Sequence, residues 1–302
     1  MSKSTPLVSI IVPTYEREKM LEELMLSLPD RSDIELIFID DHSPAAPEPT
    51  VPLKNVEVRF LTNLPGQKFA GTARNVGIDA ARGSWVMFMD SDDQVEGEAF
   101  SRVLDHAAEM SEVDMVLFYS DSFDCGGASG ERHHATNWIT SKMAATGDDI
   151  FLAHYAPPWG RLISRSFLDK NELRFDAVKY SNDVMFSARL FVAKPRFAVL
   201  PEVAYRIRQG HVSLTSEISV DAIRMRIEVL REMNDLYRSS GYRKMRLPLW
   251  VQLHKIVKKD RAVSAREVFK FLKAGHPILI TPFTLKRKIQ KAVDRKLAKY
   301  PM

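Results

Sequence analysis

The sequence predicts an α/β fold, a mostly parallel sheet flanked by helices, with a helical C-terminal extension. Three observations carry this. Short apolar runs at residues 8–12, 34–39, 56–61, 85–89 and 113–119 alternate with segments whose apolar residues recur at helical spacing. Most of those runs are continuously apolar, as strands covered on both faces must be. From residue 220 onward only the helical spacing remains. Strand–helix alternation of this kind implies right-handed βαβ units.

Taken in order, Val8-Ser-Ile-Ile-Val12 is a β-branched run stopped by Pro13, a first buried strand. Met20, Leu21, Leu24, Met25 and Leu28 then mark a helix over 16–28. Residues 34–39 form the second strand and end in Asp40-Asp41-His42-Ser43. Prolines make 45–52 a loop, and 56–61 alternates as a third strand. A helix over 69–81 follows, entered through Asn63-Leu-Pro-Gly-Gln67. The fourth strand, Trp85 to Met89, stops abruptly at Asp90-Ser-Asp-Asp93, with a helix over 98–110 and a fifth strand over 113–119 beyond it. Alternation then weakens. Residues 120–131 read as a glycine-rich loop, 159–163 as a short strand, 164–171 as a helix, 184–191 as another, and 197–200 and 203–207 as two strands. Helices are expected over 220–237, 247–259, 264–274 and 282–300, broken at Gly241, Gly275 and Pro277. The expected division is a nucleotide-binding and catalytic domain over 1–216 and a helical basic region over 217–302.

With 45% hydrophobic and 27% charged residues, the 302-residue chain has enough apolar content for a large folded domain and is not a disordered one. No apolar run approaches the ~18–20 residues of a membrane span. Residues 8–12 are too short for a leader, and the single cysteine, Cys125, excludes an internal disulfide and suits a reducing compartment. A cytoplasmic protein is expected. Its charge is uneven. Residues 242–302 hold 17 Lys and Arg against 3 acids, a net +14, so the overall +4 leaves −10 on the residues before them. In 282–300, Leu285, Ile289, Val293 and Leu297 form an apolar stripe among seven basic residues. Two readings stand: a helix lying on an anionic membrane surface, peripheral on the inner face of the cell membrane, or a helix packed on its own domain. Nucleic acid is not expected, because no aromatic interleaving or binding motif accompanies the charge.

In a parallel sheet the strand ends share one edge, where such folds bind ligands. Thr14-Tyr15-Glu16, Asp40-Asp41 and Asp90-Ser91-Asp92-Asp93 therefore converge. Three carboxylates within four residues repel unless a counter-charge sits among them, and a divalent cation bridging a phosphate-bearing ligand supplies one. Arg74 adds a fixed cation near the same edge. Asp183 falls in the first turn of a helix, where capping is a competing reading.

Together, Val8-Ser-Ile-Ile-Val-Pro-Thr-Tyr15, Ile39-Asp-Asp-His-Ser43, Gly71-Thr-Ala-Arg-Asn-Val-Gly77 and Gly83 to Asp93, with its Asp-x-Asp, resemble a bacterial family 2 glycosyltransferase. The likeness continues through Pro158-Trp-Gly-Arg-Leu162, Asn182-Asp183 and residues 205–215. It implies a GT-A fold with a Rossmann-like sheet, a nucleotide-diphosphate sugar donor (UDP by family habit), and Mn²⁺ or Mg²⁺. The acceptor it implies is a glycan or a lipid-linked hydroxyl. Carried over, Pro13, Thr14 and Tyr15 line the nucleoside pocket and Asp41 hydrogen-bonds the base. Arg74 lies near the base or diphosphate, and Asp90 and Ser91 contact the donor. Asp92 with Asp90 holds the metal, His211 is a further candidate for the metal or a phosphate, and Asp93 is left to position the turn. Asp183 is the expected base, and a single base opposite a metal-held leaving group implies inversion by direct displacement. The sequence departs from the family pattern at Asn182, where glutamate is usual, and at His42, where glycine is common. Three other classes fit less well. A nucleotidyltransferase would show a glycine-rich loop where Pro13-Thr-Tyr-Glu-Arg17 stands, and an oxidoreductase would show Gly-x-Gly-x-x-Gly there. A non-catalytic sugar-nucleotide-binding module is opposed by the intact Asp90, Asp92, Asp93 and Asp183.

Overall fold

The computed structural model describes residues 5–47, 51, 53–210, 219–250, 252 and 261–279. Contacts divide the chain into two compact units, Met1–His211 and Val212–Met302. In the first unit the described residues form β1 (Val8–Thr14), α1 (Glu18–Ser27), β2 (Ile34–Asp40), β3 (Glu57–Thr62), α2 (Ala70–Ala80), β4 (Trp85–Phe88), β5 (Gln94–Val95) and α3 (Gly97–Glu109). There follow β6 (Met115–Phe123), α4 (His134–Thr146), a 3₁₀ turn (Asp149–His154), β7 (Arg161–Ser164), α5 (Arg165–Lys170), α6 (Asn182–Val192) and β8 (Phe197–Arg208).

One eight-stranded sheet has the order β3-β2-β1-β4-β7-β6-β8-β5. The pairings β3–β2, β2–β1, β1–β4 and β6–β8 are parallel, while β7 runs antiparallel to both neighbours and β5 antiparallel to β8. The expected mostly parallel α/β sheet is thus present. β1, β2 and β4 are buried at every position, which is why their sequences show no alternation. One face packs Val8, Ile10, Val12, Leu36 and Met87 against Leu21 and Leu24 of α1 and Phe100 and Leu104 of α3. On the other, Ile11 and Ile39 meet α2 so closely that a Cβ on Gly77 would lie 2.3 Å from Ile11 Cγ2 and 3.0 Å from Ile39 Cδ1. Gly77→Ala is therefore expected to lower stability by ~1–3 kcal/mol, read as a fall in Tm with the fold retained.

Three local expectations change. β6 continues to Phe123 where a loop was expected, because Ser120 and Ser122 take buried positions between the half-exposed Tyr119 and Asp121. Small serines occupy inward sites that apolar residues normally mark. The chain then turns at Asp124, and Ser129 bridges back to Phe123. Residues 197–200 and 203–207 are one strand, β8, whose register against β6 shifts near Pro201; the irregularity absorbs the proline. Helix α4 was not anticipated: its buried stripe is Thr136, Ile139, Thr140 and Met143, and two of those four are threonines.

The second unit contains α7 (Val220–Ser239), a 3₁₀ turn (Arg243–Met245) and α8 (Arg261–Lys273). Ser219 Oγ caps α7 by accepting from Ala222 N at 3.1 Å. The fully buried Asn234 binds the backbone of Leu247 twice, donating to its carbonyl and accepting from its amide at 2.8 Å each. Most of the helix expected over 247–259, and all of the basic one over 282–300, lie outside the described residues. Among the described residues no helix is long and apolar enough to cross a membrane.

Candidate active site

The ends of β1, β2 and β4 and the start of α6 meet at one edge of the sheet, held by side chains far apart in sequence. β1 ends at Thr14, buried, with its Oγ1 lacking a hydrogen-bond partner, while Tyr15 is 49% exposed. The carbonyl of Thr14 accepts from Asp41 N at 2.8 Å, which joins the first two clusters through the backbone. Asp40 closes its own turn by accepting from Ser43 N and Oγ. Asp41 Oδ1 accepts from Asn63 Nδ2 and Oδ2 from Phe69 N, both at 2.7 Å. Asp41 therefore shapes the 63–69 loop, and each oxygen keeps a second lone pair.

Arg74 is the hub. From α2 it donates through Nη2 to Asp90 Oδ1 at 2.6 Å and through Nη1 to Asn182 Oδ1 at 3.1 Å, with its guanidinium 5.3 Å from the Phe175 ring centre. Its side chain is 6% exposed, so this cation is a built part of the edge. Asn182 stands where the family usually carries glutamate, and here its neutral amide oxygen receives the arginine. Beneath them Phe175 and Phe186 stack at 4.0 Å, and both meet Phe88 of β4 edge-on. That apolar wedge sets α6, and hence Asp183, relative to the end of β4.

Asp90, Asp92 and Asp93 each bring a carboxylate oxygen within 4.8 Å of the others. They are not equivalent. Asp93 is buried at 2% exposure, accepting from Tyr205 Oη at 2.7 Å and from Arg208 N at 2.8 Å. Burial, and then the charges of Asp90 and Asp92, push its carboxyl well above the usual range. Tyr205 Oη also accepts from Asp90 N at 3.2 Å, so one phenol ties the cluster to β8. Asp92 pairs with Arg17 Nη1 at 2.9 Å, and Arg208 Nε donates to its carbonyl at 2.8 Å. The part-exposed side chains of Asp90 and Asp92 suit a hard divalent ion, and the buried Asp93 supports the turn beneath them.

Asp183 lies in the first turn of α6, after Ser181, whose φ of 61° is left-handed. Withdrawal from water raises its carboxyl above the ordinary aspartate value; Arg74 and the amides of Asp183 and Val184 oppose this, and Asp90 adds to it. A carboxylate raised in this way takes up a proton at higher pH than an ordinary aspartate.

The structure brings Pro13, Thr14, Tyr15, Asp41, Arg74, Asp90, Ser91, Asp92 and Asp183 to this edge; His211 lies outside the described residues. His42 has a φ of 65°, which accounts for glycine being common at that position. Sequence reasoning missed Arg17, Asn63, Tyr205 and Arg161. Arg161 was legible only as a cation inside an apolar run, and Tyr205 as a phenol in a strand whose partners lie over a hundred residues away.

The model of glycosyl transferase family 2 matches residues 9–171, over half of the chain. The chain is 32% identical over 222 residues to the uncharacterized glycosyltransferase EpsJ of Bacillus subtilis, covering 70% of this chain and 63% of that protein. It is 24% identical over 223 residues to the poly(ribitol-phosphate) β-N-acetylglucosaminyltransferase TarP of Staphylococcus aureus, covering 71% and 66%. It thus spans just under two thirds of the length of both. Among solved structures, S. aureus TarS 1–349 in complex with UDP-GlcNAc superposes with a TM-score of 0.64 at 20% identity, covering 84% of this chain and 74% of that one. The fold is therefore of the GT-A kind, and the chain belongs to glycosyl transferase family 2.

Proposed function

We propose that the protein transfers a sugar from a nucleoside-diphosphate sugar, with UDP as the nucleotide, to a hydroxyl of a glycan or lipid-linked acceptor. The observation that carries this reading is Arg74, a single buried arginine that binds Asp90 and, through Asn182, the helix end bearing Asp183. In this reading one arginine links the leaving-group side to the helix end that carries the base. Family membership supports the reaction class, and the TarS complex with UDP-GlcNAc supports the donor class.

In this reading Pro13, Thr14, Tyr15 and Asp41 receive the nucleoside, and Arg74 and Ser91 the diphosphate side. Asp183 takes the proton from the acceptor hydroxyl as its oxygen bonds to the anomeric carbon. The carbon–oxygen bond to the diphosphate breaks, the electron pair leaves on phosphate, and the configuration inverts. Asp92 and Asp90 would hold Mg²⁺ or Mn²⁺, with His211 a further candidate; when bound, the ion supplies charge stabilisation to the departing diphosphate. Arg17 balances Asp92 from α1's entry, and Asp93 keeps the cluster fixed on Tyr205 and Arg208.

The test is a donor screen across nucleotide sugars with Mn²⁺ and Mg²⁺. One donor is expected to be hydrolysed well above the rest, and calorimetry showing no binding of any of them would overturn the reading. For the basic segment after residue 281, the net +14 of residues 242–302 supports an anionic membrane as its partner. Deleting residues 282–302 is expected to weaken sedimentation with vesicles containing anionic lipid, most at low salt; equal sedimentation would return the segment to packing on the protein.

A further inference from the structure

Arg161 is fully buried on β7, in the middle of a run that otherwise reads as a core strand. A buried guanidinium is costly unless something compensates its charge. Among the described residues its hydrogen bond runs from Nη2 to Ser187 Oγ at 2.8 Å, and Nε and Nη1 have no hydrogen-bond partner. The Tyr155 ring, 5.0 Å from its guanidinium carbon, offers a π-face, and Tyr155 Oη is itself engaged with the Trp159 carbonyl. Burial lowers Arg161 to about 10, and Tyr155 and Asp183 oppose that fall. It is therefore a cation at neutral pH, and Asp183 is the carboxylate that sustains it.

The geometry explains why Asp183 fills that part. Ser187 is one helical turn beyond Asp183 on the same face of α6. Ser187 Oγ also donates to the Ala156 carbonyl at 2.8 Å, so the arginine, the serine and the segment before β7 form one anchored unit. The Asp183 carboxylate is faced by Arg74 from α2, Asp90 from the end of β4 and the amides of α6 itself, and Asp183 in turn favours the charge of Arg161 on β7.

We propose that Arg161 is a positioning residue for transfer: a fixed cation on the sheet side of α6 that anchors the helix through Ser187, one turn beyond Asp183, and stands as the counter-charge to that carboxylate. This rests on the reading of Asp183 as the base and adds its counter-charge. The dependence is mutual, since the aspartate keeps the guanidinium charged inside the protein and the guanidinium keeps the aspartate ready to accept a proton.

The test needs no substrate. The full chain, labelled with [γ-¹³C]aspartate, is titrated by NMR, and Asp183→Asn identifies the resonance. In Arg161→Met the Asp183 titration is expected to move upward by ~1 pH unit, since an opposite charge nearby has been removed. Arg161→Lys, which keeps the charge, is expected to leave it close to the parent value. If Arg161→Met does not fold, Arg161→Gln is the second neutral variant. An unchanged titration in a folded neutral variant, or an equal shift in Arg161→Lys, would overturn the proposal. In parallel, the acid limb of nucleotide-sugar hydrolysis is followed with UDP-GlcNAc as probe. A limb that persists in Asp183→Asn overturns the base reading itself. A limb that Asp183→Asn abolishes and neutral Arg161 variants leave in place overturns the counter-charge alone.

Discussion

Asp183→Asn is expected to lower transfer by ~10³-fold, within the range of a positioned general base, while calorimetric donor affinity stays within about twofold. The amide keeps the volume and still accepts at the start of α6, but it cannot take a proton. Stability is not expected to fall, because a carboxylate withdrawn from water is exchanged for a neutral group. The parent enzyme's pH profile carries the complementary signature. The folded Asp183 value is raised, so the active, ionised form is present above that value and is lost as pH falls through it, at a higher pH than for an ordinary aspartate. Unchanged turnover in Asp183→Asn would remove this residue from the chemistry.

Asp92→Ala is expected to be at least as damaging to donor cleavage, by ~10³-fold or more, since losing several kcal/mol of leaving-group stabilisation corresponds to that factor. The readout independent of turnover is Mn²⁺ binding by calorimetry, expected to weaken strongly. The fold should survive, because the Arg17–Asp92 pair is part-exposed and such pairs contribute ~0–1 kcal/mol. Asp93→Ala would instead strip Tyr205 and the Arg208 amide of their acceptor and lower Tm. Full activity of Asp92→Ala without divalent ion would contradict the assignment.

The candidate edge was readable because its physics is local. Strands buried on both faces announce themselves as unbroken apolar runs, and the acids that follow them must share an edge. What was not readable depends on partners distant in sequence. Nothing near Asp41 reveals that Asn63 and the Phe69 amide, 22 and 28 residues on, take both its oxygens. Helix α4 stayed hidden because threonines stand in half of its buried stripe, and β6 because serines stand in its inward sites. Arg161 falls inside a short predicted strand, and only the fold shows that α6 meets it through Ser187. Asn182 looked like a lapse from the family pattern until Arg74 was found donating to it.

The left-handed residues carry one more consequence. Glu16, His42, Phe69 and Ser181 bear side chains at φ between 49° and 82°, and all four stand in the loops that rim the catalytic edge. Such conformations cost ~1–3 kcal/mol each, and four of the six that non-glycine residues adopt among the described ones lie on this rim. Selection for heat resistance would find its easiest gains there, by glycine at His42 or remodelling at Phe69, and would trade away turnover as it did so. A hardier variant that keeps its activity is better sought at the opposite end of the strands, around Glu35, Arg59 and Arg82, where durability and chemistry are spatially uncoupled.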